Sequence, residues 1–225
     1  MDIKIPYTPR KHQAHLHRQI DKHRWNVLVC HRRFGKTVCM INHLIRSALL
    51  SKLSNPRFAY IAPTFKQAKS IAWDYMKQFT AKIPHTKFNE TELRVDLPNG
   101  ARITLLGSES PDGLRGIYLD GCVIDEYANV NSKLFPEIIR PALSDRKGYC
   151  VFIGTPMGMN NNFYELYQHA QGAEDWFNYK AKASDTKIVD NDELVKAKEV
   201  MGEKKYNQEF ECDWIANIEG AVYGD

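Results

Sequence analysis

No apolar run in this 225-residue chain approaches the roughly 20 residues of a membrane span; the longest, such as Val27–Cys30 and Gly121–Ile124, cover a single short strand each. The opening residues lack the apolar core of a secretory signal, so the expectation is a soluble, intracellular protein with no membrane partner. The five cysteines (Cys30, Cys39, Cys122, Cys150, Cys212) form no CxxC pair, which excludes the common zinc and dithiol motifs. Four of them lie in or beside apolar segments, where a free thiol behaves as a small hydrophobe, and they read as buried structural thiols of a reducing compartment. Internal repeats, low-complexity stretches and Pro/Ser linkers are also lacking. What remains, with 43% hydrophobic residues, is one globular domain with a substantial core.

The charge is uneven where the composition is not. Net charge is only +4, yet Lys and Arg against Asp and Glu give +8 over residues 1–50, +4 over 51–100, −1 over 101–150 and −7 over 151–225. Six of the eight histidines also fall in the first 50 residues. That segment can present positive potential to a triphosphate or to DNA, or be an ordinary solvated face.

Short β-branched or apolar runs alternate with helical patterns, which predicts a mostly parallel sheet with helices on both faces. Strands are expected at Trp25–His31, Arg57–Ala62, Ala101–Ser108, Gly121–Asp125 and Tyr149–Gly154. Helices are expected at Lys11–Lys22, Gly35–Leu50, Phe65–Ile83, Ser132–Leu143, Asn161–Gln171, Asp192–Met201 and Lys204–Cys212. Leu93–Leu97, Pro98-Asn99-Gly100 and Ala101–Leu106 read as a β-hairpin at a sheet edge, its Asn-Gly pair suited to positive φ angles. The chain closes on Gly220–Asp225 without a terminating signal and reads as a fragment.

Three segments carry chemistry. Val27–Cys30, then His31-Arg32-Arg33-Phe34-Gly35-Lys36-Thr37, then an amphipathic helix, form a strand, a turn and a helix whose N-terminal N–H groups suit a phosphate. Lys36 would neutralise β/γ oxygens and the Thr37 hydroxyl would ligate Mg²⁺. The usual first glycine of GxxxxGK[ST] is Cys30 here, so the strict pattern is broken. Gly121-Cys122-Val123-Ile124-Asp125-Glu126 is an apolar strand ending in two carboxylates; Asp125 suits the Mg²⁺ shell and Glu126 the attacking water. Such a pair is otherwise a plain solvated loop start. Val151-Phe152-Ile153-Gly154-Thr155-Pro156 ends a third strand in a hydroxyl that could touch the γ-phosphate, or in a simple turn. The Asp-Glu strand lies about 90 residues after the phosphate turn and the Gly-Thr strand about 30 further on. That combined order points to an ATPase.

With those residues in place, the chain resembles, over nearly its whole length, the ATPase domain of the tailed-phage terminase large subunit. The resemblance rests on the arginine-rich turn His31–Thr37 without its first glycine and on Pro9-Arg10-Lys11-His12-Gln13, similar to the family's adenine motif. It rests also on Ala62-Pro63-Thr64 with Gln67-Ala68, and on Leu114-Arg115-Gly116, similar to the segment that supplies an arginine to a neighbouring subunit's ATP. Gly154-Thr155-Pro156 resembles the coupling motif, and Tyr206–Trp214 the stretch that ends the motor. The resemblance implies a P-loop NTPase fold of the RecA/ASCE kind with an edge hairpin. It implies ATP and Mg²⁺, and double-stranded DNA driven into a procapsid in the host cytoplasm. The implied partners are further copies of the chain in a ring, a portal protein and a small terminase subunit. Residues 1–215 would be the motor and 216–225 the start of a linker to a nuclease domain. The nuclease's acidic cluster would lie past Asp225, so no nuclease activity is expected of these residues.

On this reading the nucleotide contacts are Gln13, Arg32, Arg33, Phe34, Gly35, Lys36 and Thr37, the metal residues are Thr37 and Asp125, and catalysis involves Glu126, Arg115 and Thr155. The bland alternatives are a surface amide for Gln13 and a plain loop arginine for Arg115, with the functional reading favoured for each, and Arg32 and Arg33 compete for one role. Trp25, Trp73 and Trp176 read as packing residues rather than base-stacking platforms. Two rivals stay open: a helicase-like or repair ATPase on the same fold, and a nucleotide-gated scaffold with negligible turnover.

Overall fold

The computed structural model describes residues 5–215; the expected linker 216–225, with Asp225, lies outside the described residues. Eight strands form one sheet: β1 (Trp25–Cys30), β2 (Arg57–Ala62), β3 (Lys87–Asn89), β4 (Arg94–Asp96), β5 (Arg102–Gly107), β6 (Gly121–Asp125), β7 (Tyr149–Gly154) and β8 (Trp176–Ala181), in the order β3-β4-β5-β2-β6-β7-β1-β8. The pairs β5–β2, β2–β6, β6–β7, β7–β1 and β1–β8 are parallel, while β3–β4 and β4–β5 are antiparallel. This is the expected mostly parallel α/β sheet with a hairpin at one edge.

Side chains alternate across the sheet, as a pleated strand requires. Leu28, Tyr60, Val123, Val151 and Ile153 enter the core beneath helices α1 (Lys11–Ile20) and α2 (Lys36–Leu50) and beneath the 65–80 segment. Val27, Val29, Ile61, Ile124 and Phe152 enter a second core with Leu134, Ile139, Phe163 and Trp214. Both faces are therefore covered, and β1 and β6 are buried along their whole length. All five cysteines are free and buried. Trp25 and Trp73 are buried too, and Trp25 stacks on Trp176 at 5.9 Å, so these rings pack rather than present faces.

Several elements differ from expectation. The expected helix 65–83 is Phe65–Ala68, a π-helical Lys69–Trp73 and Asp74–Thr80. The expected helix 132–143 is a π-helical Leu134–Ile139 followed by Arg140–Ala142. Pro136 and Pro141 lack the N–H that a regular α-helix would use there, and a wider turn accommodates the loss. In the hairpin, Gly100 N–H bonds to Leu97 O at 3.0 Å and Leu97 N–H to Ala101 O at 2.8 Å. Gly100 has φ 82° and Asn99 is not among the positive-φ residues. The turn therefore needs one left-handed residue, not two, as a turn followed by a glycine bulge does. Strands β3 and β8 and the short helix Ala183–Thr186 were not anticipated.

Candidate functional site

Strand order assembles the site. β6, β7 and β1 are consecutive neighbours and run in the same direction, so the residues that leave their C-terminal ends share one edge of the sheet. The register pairs Val29 with Gly154 and Asp125 with Ile153, which sets Cys30 level with Thr155 and Glu126 one residue below, beside Gly154. The phosphate turn, the carboxylate pair and the Gly-Thr turn thus meet in space despite their separation in sequence.

The phosphate turn is held from all sides. His31 is fully buried; its N–H bonds to Ala181 O at 3.0 Å and its Nε2 meets Thr186 Oγ1 at 2.8 Å. Arg32 N–H donates to Glu209 O at 2.8 Å. Arg33 is left-handed at φ 70° and Gly35 at φ 87°, and Gly35 begins α2. The Phe34 ring belongs to the core, so this residue anchors the turn rather than offering a side chain to a ligand. A first turn of helix carries N–H groups with no intrahelical acceptor, and here α2 opens them at the sheet edge.

Cys30 takes the usual glycine position at no conformational cost. It is the last residue of β1, fully buried, and not among the positive-φ residues. Burial holds its thiol far above the ordinary range, so it is neutral. Its carbonyl accepts from Lys36 Nζ at 3.3 Å and from Thr155 Oγ1 at 3.2 Å, while Lys36 Nζ also donates to Thr155 Oγ1 at 3.0 Å.

The carboxylates are equally well placed. Asp125 is buried; its Oδ2 accepts from the Tyr60 hydroxyl of β2 and its Oδ1 from Glu126 N–H at 2.9 Å. The Thr37 side chain acts on Tyr60, opposing the rise that burial and Asp125 give it, so Thr37, Tyr60 and Asp125 form one oxygen-rich group. Burial raises Asp125, opposed by Tyr60 and Lys36. Glu126 sits in a left-handed conformation at φ 48°, and burial, then the Asp125 charge, raise it to about 7. One hydroxyl and one carboxylate suit a cation that keeps most of its shell as water and phosphate oxygen, which is how Mg²⁺ is commonly held. Among the described residues there is no cluster of three or more His, Cys, Asp or Glu side chains that could hold a metal ion.

Gln13 is drawn to this cluster rather than left on the surface. It is buried, its Oε1 accepts from Arg10 N–H at 3.0 Å and its Nε2 donates to Gly35 O at 3.2 Å, leaving one N–H. The Arg10 guanidinium reaches Phe34 O at 3.3 Å. Arg32 keeps its side chain 62% exposed and meets the Glu209 carboxylate at 3.8 Å. Arg115 is placed apart from the cluster. It lies in the connection that returns from the end of β5 to the start of β6, 3.6 Å from Glu137. Its neighbours Leu114 and Gly116 line a groove of about 300 Å³ that runs along β2 and β5 with Arg57, Arg102 and Leu106. Tyr60 gave no signal in the sequence, and Gln208 and Glu209 stood out there only as members of Tyr206–Trp214, without the contacts that the strand order and the path of the last helix give them.

Comparison with known proteins shows the family and the fold. Residues 29–224 match the family described as "Terminase large subunit, T4likevirus-type, N-terminal". The large terminase subunit of Thermus phage G20c is 30% identical over 126 residues, which cover 48% of this chain and 26% of that protein. The matched stretch is thus about a quarter of the length of such relatives. The solved large terminase ATPase domain of Thermus phage P74-26 superposes with TM-score 0.79 at 21% identity, covering 94% of this chain and 96% of that one. The large terminase of another thermophilic bacteriophage, solved in complex with ADP, gives 0.79 at 16% identity, covering 91% of this chain and 53% of that one.

Proposed function

The chain belongs to the terminase large subunit family, and from that premise we propose that residues 1–215 are the ATP-hydrolysing motor that drives double-stranded DNA into a procapsid. The observation that carries the reading is the convergence of Lys36, Asp125, Glu126 and Thr155 on the ends of three adjacent parallel strands. Each then has a task. The α2 N-terminus and Lys36 hold the β/γ-phosphates, Lys36 exchanging its bonds to Cys30 O and Thr155 for phosphate oxygens. Thr37 and Asp125 would hold Mg²⁺, which neutralises phosphate charge when bound. Glu126, half-buried and raised toward neutrality, orients the attacking water and takes its proton. Gln13, with one N–H left, faces the base, and Arg32 or Arg33 reaches the phosphates.

Arg115 is assigned to a neighbouring subunit's ATP, because it lies in the β5–β6 connection, where its guanidinium meets Glu137 at 3.6 Å rather than a side chain of its own chain's cluster. An arginine delivered in trans is worth roughly 10³–10⁵ in rate in P-loop enzymes. The assembly that follows is a ring of copies on a portal, with a small terminase subunit delivering DNA. No nuclease step is assigned to these residues.

Phosphate release measured with portal-bearing empty procapsids and duplex DNA tests the reading. Stimulation by those particles is expected. Stimulation only by forked or single-stranded DNA would instead identify a helicase-like ATPase, and no turnover under any condition a nucleotide-gated scaffold. Mixing Arg115→Ala with Glu126→Gln subunits tests the trans role: each is inactive alone, and activity is expected to recover in the mixed ring. Parent-like turnover by Arg115→Ala under assembling conditions would move the finger to Arg32 or Arg33.

A further inference from the structure

The segment Tyr206–Trp214 forms the second half of the last helix, Glu203–Phe210, and the turn after it, and the motor chemistry above makes no use of it. Its contacts are specific all the same. Gln208 is 2% exposed, and its Nε2 donates to Pro156 O at 2.7 Å. The next residue, Glu209, accepts Arg32 N–H on its backbone oxygen at 2.8 Å, and its carboxylate meets Lys205 at 2.8 Å and Arg32 at 3.8 Å. Two consecutive residues of one helix therefore grip two different loops: the phosphate turn after β1 and the Thr155-Pro156 turn after β7. These are the two loops that Lys36 bridges through Cys30 O and Thr155 Oγ1.

The geometry closes a ring. It runs from Lys36 to Thr155, along one residue to Pro156, across to Gln208, along one residue to Glu209, and back to Arg32 in the phosphate turn. A buried amide with one short bond to a carbonyl tolerates little displacement, since breaking it leaves both groups unpaired away from water. Beyond the helix the chain stays attached to the body: Cys212 Sγ donates to Ala181 O at 3.1 Å, Ser184 Oγ to the Glu211 carboxylate at 2.6 Å, and Trp214 packs on Phe163 and Tyr164 at 5.5 and 5.2 Å. When a phosphate takes Lys36 away from Thr155, the Thr155-Pro156 turn keeps only its Thr155–Cys30 bond on that side and stays fastened to Gln208 on the other.

We propose that Gln208 is a positioning residue that sets the Thr155-Pro156 turn against the phosphate turn and transmits its nucleotide-dependent movement to helix 203–210. The inference rests on the nucleotide site argued above. Its consequence is that the chain leaving this helix reports whether the site is filled. Gln208 holds the backbone of Pro156 and acts through Thr155, the residue before it.

The test uses the 225-residue chain and two substitutions. Gln208→Met keeps length and volume and loses the donor; Gln208→Glu keeps the length and accepts instead of donating when ionised. Hydrogen exchange of residues 203–210 is measured with and without a non-hydrolysable ATP analogue, beside binding and turnover. In the parent, the analogue is expected to change exchange in this helix; in both variants that change is expected to vanish while analogue affinity stays within about twofold. Turnover is expected to fall about tenfold with KM little altered, the size of one buried hydrogen bond lost from a positioned group. Combining Gln208→Met with Thr155→Val should add nothing beyond Thr155→Val alone, since both act through one hydroxyl. No nucleotide effect on the helix in the parent, an undiminished effect in Gln208→Met, or multiplying losses in the double variant would each overturn the proposal. A parent that binds the analogue and moves the helix without hydrolysing ATP would leave this inference standing and defeat the proposed function. If neither variant folds, Thr155→Val alone decides: it keeps the shape of the turn, and an unchanged helix response in it overturns the relay.

Discussion

Helix α2 touches two buried polar clusters, and they are built to opposite purposes. Against its side, the His17 and His43 rings stack at 5.3 Å with Nδ1 atoms 3.0 Å apart, and His17 Nε2 meets the Tyr7 hydroxyl at 3.0 Å. A bond between two ring nitrogens needs a proton on one and a lone pair on the other, so the accepting ring is neutral. Burial agrees, lowering His17 to about 4 and His43 to about 3. At the helix's N-terminal end, by contrast, Lys36, Asp125 and Glu126 crowd charge into a buried space where burial lifts both carboxylates. The first cluster is satisfied by its own members. The second holds groups whose natural partners are phosphate, metal and water, and the cost of that arrangement is the mark of a site.

Substitutions sharpen the contrast, and the largest effect is expected at Lys36. Lys36→Ala removes a cation that both carboxylates and the phosphates face, and nucleotide affinity should drop on the order of a hundredfold or more, as for truncation of one partner in a buried charge pair. Titration with a fluorescent ATP analogue reads this. At the other cluster, His43→Ala removes a buried ring and leaves His17 short of a partner. It should cost about 2–4 kcal/mol of stability in denaturant melts, with nucleotide affinity unchanged. A His43 variant that binds nucleotide poorly would merge the two clusters into one.

The same pair gives a pH signature. Each folded histidine titrates below its ordinary value of 6.5, so the unfolded chain binds more protons between that value and the folded ones. Stability then rises with pH in this window, and Tm should fall by several degrees as pH drops from 6.5 to 4. In His17→Phe with His43→Leu this slope should flatten; an unchanged slope would assign the acid sensitivity to other groups. The smallest effect concerns Cys30. Cys30→Gly restores the common phosphate-loop pattern, yet loses a fully buried side chain and stiffens nothing. A melt should show a loss of about 1 kcal/mol rather than a gain.

What the sequence revealed was local. Gly35, Lys36 and Thr37 stand out because a strand, a turn and a helix must follow one another in the chain, and Asp125 and Thr155 because each ends a run of buried residues. Tyr60 did not stand out, because its bond to Asp125 spans 65 positions and exists only once β2 and β6 are neighbours. The Gln208 contact was hidden for the same reason, since Pro156 lies 52 positions away. Strand β8 was missed although Trp176, Phe177 and Tyr179 favour strands; its partly exposed edge position gives no clean apolar run. The π-helical segments were read as regular helix because hydrophobic spacing does not distinguish the two turns over five or six residues.

On the proposed function, the costly cluster at the end of α2 turns over ATP, with Glu126 acting on the water and not on the nucleotide. The direct measurement is analogue binding and phosphate release by Glu126→Gln beside the parent under assembling conditions, with a melt to establish folding. An interaction made only in the transition state lowers turnover without weakening binding. Affinity within about twofold of the parent and loss of nearly all turnover is the predicted result; near-parent phosphate release by Glu126→Gln would contradict it.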